Sequence, residues 1–471
     1  MRSKRILTLL LALALTLSLA GSALGAESVP GETGTASSAG GASSTGDQAG
    51  EEGESSGDQA GTAEGAGSSQ DGTQDQASAS GETSSAGTTG EGLEVTYDPT
   101  AGTSADPVPD TTATATLLMD SATGTVLWEK NAHEVLEPAS VTKIMTMLLV
   151  CEAIDAGQLT LDQMVTTSAH AAGMGGSQVY LEEGEQMAVQ DLLKAVAVAS
   201  GNDAAVALGE AVAGSESAFV EKMNQRAAQL GMGDTHFVNC TGLPTDGHVT
   251  SAYDIALMSR ELLKHDVIRQ FTTIWMDSLR NGAFGLSSTN KLVHSYEGCT
   301  GLKTGFTATA GYCISATARR DDTELIAVVL GAENSKDRFN TAATLLDWGF
   351  ANFKLVTVTP EEALPAVPVA LGVQDTVELS PVQVRLLIRT ADEGQLATQV
   401  VLPGGVEAPV EQGAQLGSFV VQIGDQVAAV CPLSAAQPVE KLRLWGVFQQ
   451  FVKNLLSVPG EASLFVHFVV K

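Results

Sequence analysis

The chain has 471 residues, enough for two or three domains, because single hydrophobic cores stop growing at about 250–300 residues. Its 55 acidic against 25 basic residues give a formal charge of −30, which excludes the basic face that nucleic-acid binding requires. Five scattered cysteines with no CxxC pair supply neither a disulfide framework nor a metal-ligand cluster.

Residues 1–26 place Arg2, Lys4 and Arg5 before an apolar run that closes on Ala23, Gly25 and Ala26. That is the layout of a secretory signal peptide cut after Gly25 or Ala26, and it predicts an exported protein. An uncleaved anchor is the alternative, although the run falls near the short side of the roughly 20 residues a spanning helix needs. Residues 26–110 are dominated by Gly, Ser, Thr, Ala, Glu and Asp without one Lys or Arg, and GDQAG occurs at both 46–50 and 57–61. Such a stretch buries too little apolar surface to offset its ordering entropy, so a disordered acidic tether is predicted.

Ordered texture starts with TATATLLMDSATGTVLWEKN, read as strands at Ala113–Met119 and Thr125–Trp128 joined at Ser121–Gly124. Helical periodicity follows in SVTKIMTMLLVCEAI, VQDLLKAVAVASGNDAAVALGEAVA, SESAFVEKMNQRAAQLG and SAYDIALMSRELLKH. A second hairpin, GYCISATARRDDTELIAVVLGA, precedes a helix at Lys336–Phe353. This order predicts an α+β domain at 111–353, an antiparallel sheet with helices packed on it. Short Val-rich runs broken by Pro and Gly predict a small all-β sandwich at 354–437. In 438–471, Leu442, Trp445, Phe448, Val452 and Leu455 share one face of a helix with Lys441, Arg443 and Lys453 interspersed. Such a helix can lie on a membrane surface, or pack on its own β-domain.

Three short motifs carry the chemistry. In Ser140-Val-Thr-Lys143 at a helix start, residues three apart share a face, so the lysine amine can draw the proton from the serine hydroxyl. Ser200-Gly201-Asn202 lies at a break between helical runs, where a hydroxyl can relay a proton and an amide can hold a carbonyl. Lys303-Thr304-Gly305 precedes a strand whose edge can pair with an extended peptide, with a cation for a carboxylate and a glycine for close approach. Each is common alone; the three in this order are not. Cys299 and Cys313, which flank the third, are the pair to inspect for a bridge.

With EPASVTKIMT, AVASGNDAAVALGE, NCTGLPTDGHVTSAYDIALMSREL and GLKTGFTATAGYCISATA, the chain resembles the low-molecular-mass penicillin-binding proteins, serine D-alanyl-D-alanine carboxypeptidases with the β-lactamase/transpeptidase-like fold. The resemblance spans about 111–437. It implies Ser140 as acylated nucleophile, Lys143 as its base, and Ser200 and Asn202 completing the proton relay and orienting the substrate amide. It implies further that Lys303 and Thr304 bind the terminal D-Ala carboxylate, beside Gly305, and that the backbone N–H groups of Ser140 and Phe306 form the oxyanion hole. Phe306 departs from the histidine many relatives carry, which leaves its main-chain role intact. Peptidoglycan stem peptide is then the substrate, β-lactams are covalent inhibitors, and no metal or organic cofactor is called for. The implied location is the outer face of the cytoplasmic membrane or the cell wall.

Rival readings have weaker support. His133, His236 and His248 lie within the core domain, but no GxSxG in that domain provides a nucleophile elbow for a Ser–His–Asp enzyme, and no HExxH appears. A class A β-lactamase would carry an ExxLN-like loop between the second and third motifs, and none is there. A D,D-endopeptidase, or an idle wall-binding protein on the same scaffold, remains as an alternative. For Lys143 to act as base it must be substantially neutral, which demands burial, helped by a second cation such as Lys303.

Overall fold

The computed structural model describes residues 92–101, 111–443, 445, 446, 448 and 449. A five-stranded antiparallel sheet in the order β3-β2-β10-β9-β8 is built from β2 (Ala115–Asp120), β3 (Val126–Lys130), β8 (Cys299–Thr307), β9 (Gly311–Arg320) and β10 (Thr323–Ala332). Two further two-stranded antiparallel sheets pair β4 (Met164–Thr166) with β5 (Gln186–Ala188) and β6 (Met276–Leu279) with β7 (Phe284–Ser287).

The continuous apolar runs of β2 and β10 follow from burial on both faces, where alternation would leave polar groups inside. Leu117, Met119, Ile326 and Val328 face a core shared with the helices α1 (Lys143–Asp155), α2 (Val189–Ala199), α3 (Asn202–Ala213) and α5 (Ala252–Leu262). Leu118, Leu325, Ala327 and Val329 face the opposite core under α6 (Ser335–Asn352). Helix α1 is apolar around most of its circumference because it runs through the first core, buried from Lys143 to Cys151. Side-chain caps fix three helix starts: Ser215 accepts from Ala218 N at α4 (Glu216–Gln229), Ser251 from Asp254 N at α5, and Asn334 from Asp337 N at α6.

The all-β module holds β11 (Phe353–Val358) paired with β14 (Val384–Arg389), and β12 (Val367–Ala370) between β13 (Thr376–Val377) and β16 (Val406–Glu407). Its largest sheet contains β15 (Leu396–Val401), β17 (Gln415–Ile423) and β18 (Gln426–Ser434). Phe353, Leu355 and Leu387 join the core under α6, so the two domains share apolar contacts at their junction.

The predicted tether extends too far. Residues 92–101 form β1 (Glu94–Val95), which pairs antiparallel with β18 through Glu94↔Val430 and Val95↔Ala429. Tyr97 is buried, its hydroxyl donating to Asp392 Oδ2 at 2.7 Å, and the Arg389 guanidinium donates to the Ala101 carbonyl at 3.0 Å. Composition averaged over 85 positions hid the short LEVTY stretch, whose β-branched and aromatic residues suit an edge strand. The signal-peptide reading, the rest of the tether and nearly all of the C-terminal helix lie outside the described residues. All five cysteines are free thiols, Cys299 and Cys313 included.

Candidate active site

The three motifs meet where α1, the α2–α3 turn and β8 converge. Ser140 lies in a 3-10 turn, Ala139–Thr142, that runs directly into α1, and Lys143 is the first residue of that helix. The Lys143 amine sits 3.0 Å from Ser140 Oγ, 2.6 Å from Asn202 Oδ1 and 2.6 Å from the Thr241 carbonyl. An ammonium has three donors and no acceptor, whereas a neutral amine has two donors and one lone pair. Asn202 and Thr241 can only accept at these atoms. A neutral Lys143 therefore satisfies both and turns its lone pair to the Ser140 hydroxyl. Complete burial lowers Lys143 from 10.5 to about 7, against the opposing pull of Cys240 and Asp203.

Ser200 ends α2 in the left-handed conformation, φ 64°, and Asn202 starts α3. A serine held there is strained, a feature common at functional sites. The next residues brace the loop beside the site. The buried Asp203 carboxylate accepts from Val179 N and Leu181 N, and Asn202 Nδ2 donates to the Gly175 carbonyl at 2.6 Å.

Lys303 and Thr304 are buried on β8, the sheet's edge strand. The Lys303 amine donates to Ser200 Oγ and to the Thr304 carbonyl, both at 2.9 Å, while Thr304 Oγ1 donates to Thr289 Oγ1 at 2.8 Å. Burial first, then the charges of Lys143 and Arg338, push Lys303 well below its ordinary value. A substrate carboxylate arriving beside it would supply the counter-charge that favours protonation.

Gly305 is closely packed. A Cβ there would lie 2.9 Å from the Pro138 carbonyl oxygen and 3.0 Å from Ser140 N, so the missing side chain lets β8 press against the turn that holds Ser140. Phe306 is half-exposed, its ring 4.3 Å from that of Tyr312.

Several contributors were not legible beforehand. The Thr241 carbonyl acts through backbone, which side-chain chemistry does not flag. Buried Arg338 donates to the Gly305 and Cys313 carbonyls at 3.0 and 3.2 Å, fastening the end of the third motif from α6; burial lowers it to about 10, leaving it charged at neutral pH. Of the three histidines weighed for a triad, His133 meets Asp234, His236 meets the Gly247 carbonyl and His248 meets Thr142.

A serine hydroxyl against a buried lysine amine, beside an edge strand carrying a second lysine, is the arrangement of a serine acyl-transfer enzyme on an α+β scaffold. The profile of the D-alanyl-D-alanine carboxypeptidase family matches residues 101–334, and that of the penicillin-binding protein 5 C-terminal domain matches residues 353–441. The chain is 41% identical over 336 residues to D-alanyl-D-alanine carboxypeptidase DacF of Bacillus subtilis, covering 70% of this chain and 86% of that one. It is 36% identical to DacC of Escherichia coli, covering 73% and 88%. Penicillin-binding protein 5 of Haemophilus influenzae superposes with a TM-score of 0.61 at 29% identity, covering 71% of this chain and 99% of that one. The chain belongs to the serine-type D-alanyl-D-alanine carboxypeptidases, the low-molecular-mass penicillin-binding proteins.

Proposed function

We propose that this D,D-carboxypeptidase removes the terminal D-alanine of peptidoglycan stem pentapeptides through an acyl-enzyme on Ser140. The observation that carries the assignment is the buried Lys143 amine, 3.0 Å from Ser140 Oγ with its other two contacts restricted to acceptors. Ser140 Oγ attacks the carbonyl carbon of the D-Ala–D-Ala bond while its proton passes to Lys143 Nζ. The oxyanion is received by the N–H groups of Ser140 and Phe306. Collapse breaks the C–N bond, and the leaving amine takes a proton delivered from the Lys143 ammonium, with Ser200 and Lys303 as the relay beside it. Water then attacks the ester, giving its proton to Lys143, and Ser140 leaves as the hydroxyl. Asn202 orients the substrate amide, and Lys303 with Thr304 receives the terminal carboxylate. β-Lactams acylate the same serine.

Residues 1–25 serve as the export signal, and the enzyme works outside the cytoplasm at the wall. The β-module at 354–437 holds the catalytic domain off the membrane while 438–471 touches lipid. Exposed Trp445 and Phe448, with rings 5.5 Å apart, support that contact. Intact-protein mass spectrometry after penicillin treatment, paired with D-alanine release from a D-Ala-D-Ala pentapeptide, tests the catalytic reading. Adduct and release should both vanish in Ser140→Ala; an adduct that persists there defeats the assignment, and an adduct without release in the parent enzyme points to an endopeptidase. Deleting 439–471 should abolish co-sedimentation with anionic vesicles, and unchanged binding would refute the lipid contact.

A further inference from the structure

Ala139, immediately before the nucleophile, has φ 48°, a left-handed conformation that an alanine adopts only under constraint. Three features converge on its carbonyl. Thr142 Oγ1 donates to it at 2.9 Å. His248 Nε2 lies 2.8 Å from the same hydroxyl, and His248 Nδ1 accepts from Val238 N at 3.0 Å. Gly242, at φ +80°, leaves the space: a Cβ there would come within 1.8 Å of the Ala139 oxygen.

The donors and acceptors form a one-way chain. Because Nδ1 accepts a backbone N–H, a neutral His248 carries its proton on Nε2 and donates to Thr142, which leaves the threonine hydrogen for the Ala139 carbonyl. Burial holds His248 down to about 4, so this tautomer persists at neutral pH. In a planar trans peptide the C=O and the following N–H point in opposite directions. Fixing the Ala139 carbonyl therefore aims the Ser140 N–H, and the Ser140 nitrogen faces the vacant Cβ position of Gly305 on β8.

We infer that Thr142 and His248 are positioning residues that set the oxyanion hole by locking the Ala139–Ser140 peptide plane. The inference rests on Ser140 being the acylated serine. It separates this pair from the proton-transfer group of Lys143, Ser200 and Lys303: the pair acts on where negative charge develops, not on activation of the hydroxyl.

The test compares Thr142→Val, which keeps the shape and removes the hydroxyl, with Thr142→Ser, which restores it, and with His248→Gln and His248→Leu. Acylation by penicillin and kcat on a D-Ala-D-Ala pentapeptide should fall roughly 10- to 100-fold in Thr142→Val and His248→Leu, a fraction of what deleting an oxyanion donor does. KM should stay level. Affinity for a peptidyl boronic acid ending in the boron analogue of D-alanine, whose tetrahedral adduct places an oxygen in the hole, should weaken by a similar factor. Thr142→Ser should recover most of the rate, and His248→Gln part of it, since an amide can both accept from Val238 and donate to Thr142. Unchanged acylation in a folded Thr142→Val protein overturns the inference, as does equal loss in Thr142→Ser, or a lost rate with intact boronate affinity. If Ser140→Ala still forms the penicillin adduct, the underlying assignment has failed; if that adduct vanishes and Thr142→Val is silent, only this inference has.

Discussion

Varying pH reads the state of Lys143 directly. The fall from 10.5 to about 7 corresponds to roughly 5 kcal/mol of differential free energy at about 1.4 kcal/mol per unit. At pH 7.5 an ordinary lysine is neutral about once in a thousand molecules, whereas one titrating near 7 is neutral in about three quarters. The second-order rate of penicillin acylation, followed by stopped-flow fluorescence, should therefore reach a plateau above pH 8 and fall toward tenfold per unit below pH 6. Stability carries the same signature. Between about pH 7 and 10.5 the unfolded chain binds more protons at this site than the native protein, so the native state is penalised most below pH 7 and the penalty fades as pH rises through that window. Denaturant midpoints of the parent enzyme should climb relative to Lys143→Met across that window, by at most about 1.4 kcal/mol per unit, with Lys303, depressed in the same direction, contributing to both proteins. A flat acylation profile from pH 5 to 8, or an acid limb centred above about 9, would refute Lys143 as the base.

Gly305→Ala drives a methyl against the Pro138 carbonyl and Ser140 N; about 1–3 kcal/mol of destabilisation and an acylation rate at least tenfold lower are expected in parallel calorimetry and penicillin-labelling assays. Tyr97→Phe removes the 2.7 Å bond to Asp392, and should lower the unfolding free energy by about 1 kcal/mol in denaturant titration while kcat stays level.

Much of the catalytic domain was legible because burial and function both leave marks in sequence. The runs Ala115–Asp120 and Thr323–Ala332 read as strands since a strand covered on both faces is mostly apolar along its length. Ser140, Lys143, Ser200, Asn202 and Lys303, which the structure brings together, were legible because each carries a side chain of distinctive chemistry at recognisable spacing. Thr241 was hidden because its contribution is a carbonyl, available from any residue. Arg338 and His248 act from 33 and 106 residues away from the backbone or hydroxyl they hold, a pairing that only the fold creates. The strand at Glu94–Val95 escaped because two residues of pairing vanish inside a long acidic average.

That first strand makes the β-module discontinuous along the chain. Its contact between Thr96 and Val427 closes a loop of 331 residues, and the whole catalytic domain is an insertion between one edge strand and its neighbour. Closing such a loop from an extended chain is opposed by roughly 5 kcal/mol of entropy, which the folded catalytic domain reduces by tying its entry, Thr111, to Thr341 on its last helix, α6, at 2.9 Å. Because β1 pairs with β18, the last strand of the module, residues 92–101 find their place in that sheet only once the C-terminal end of the module is formed.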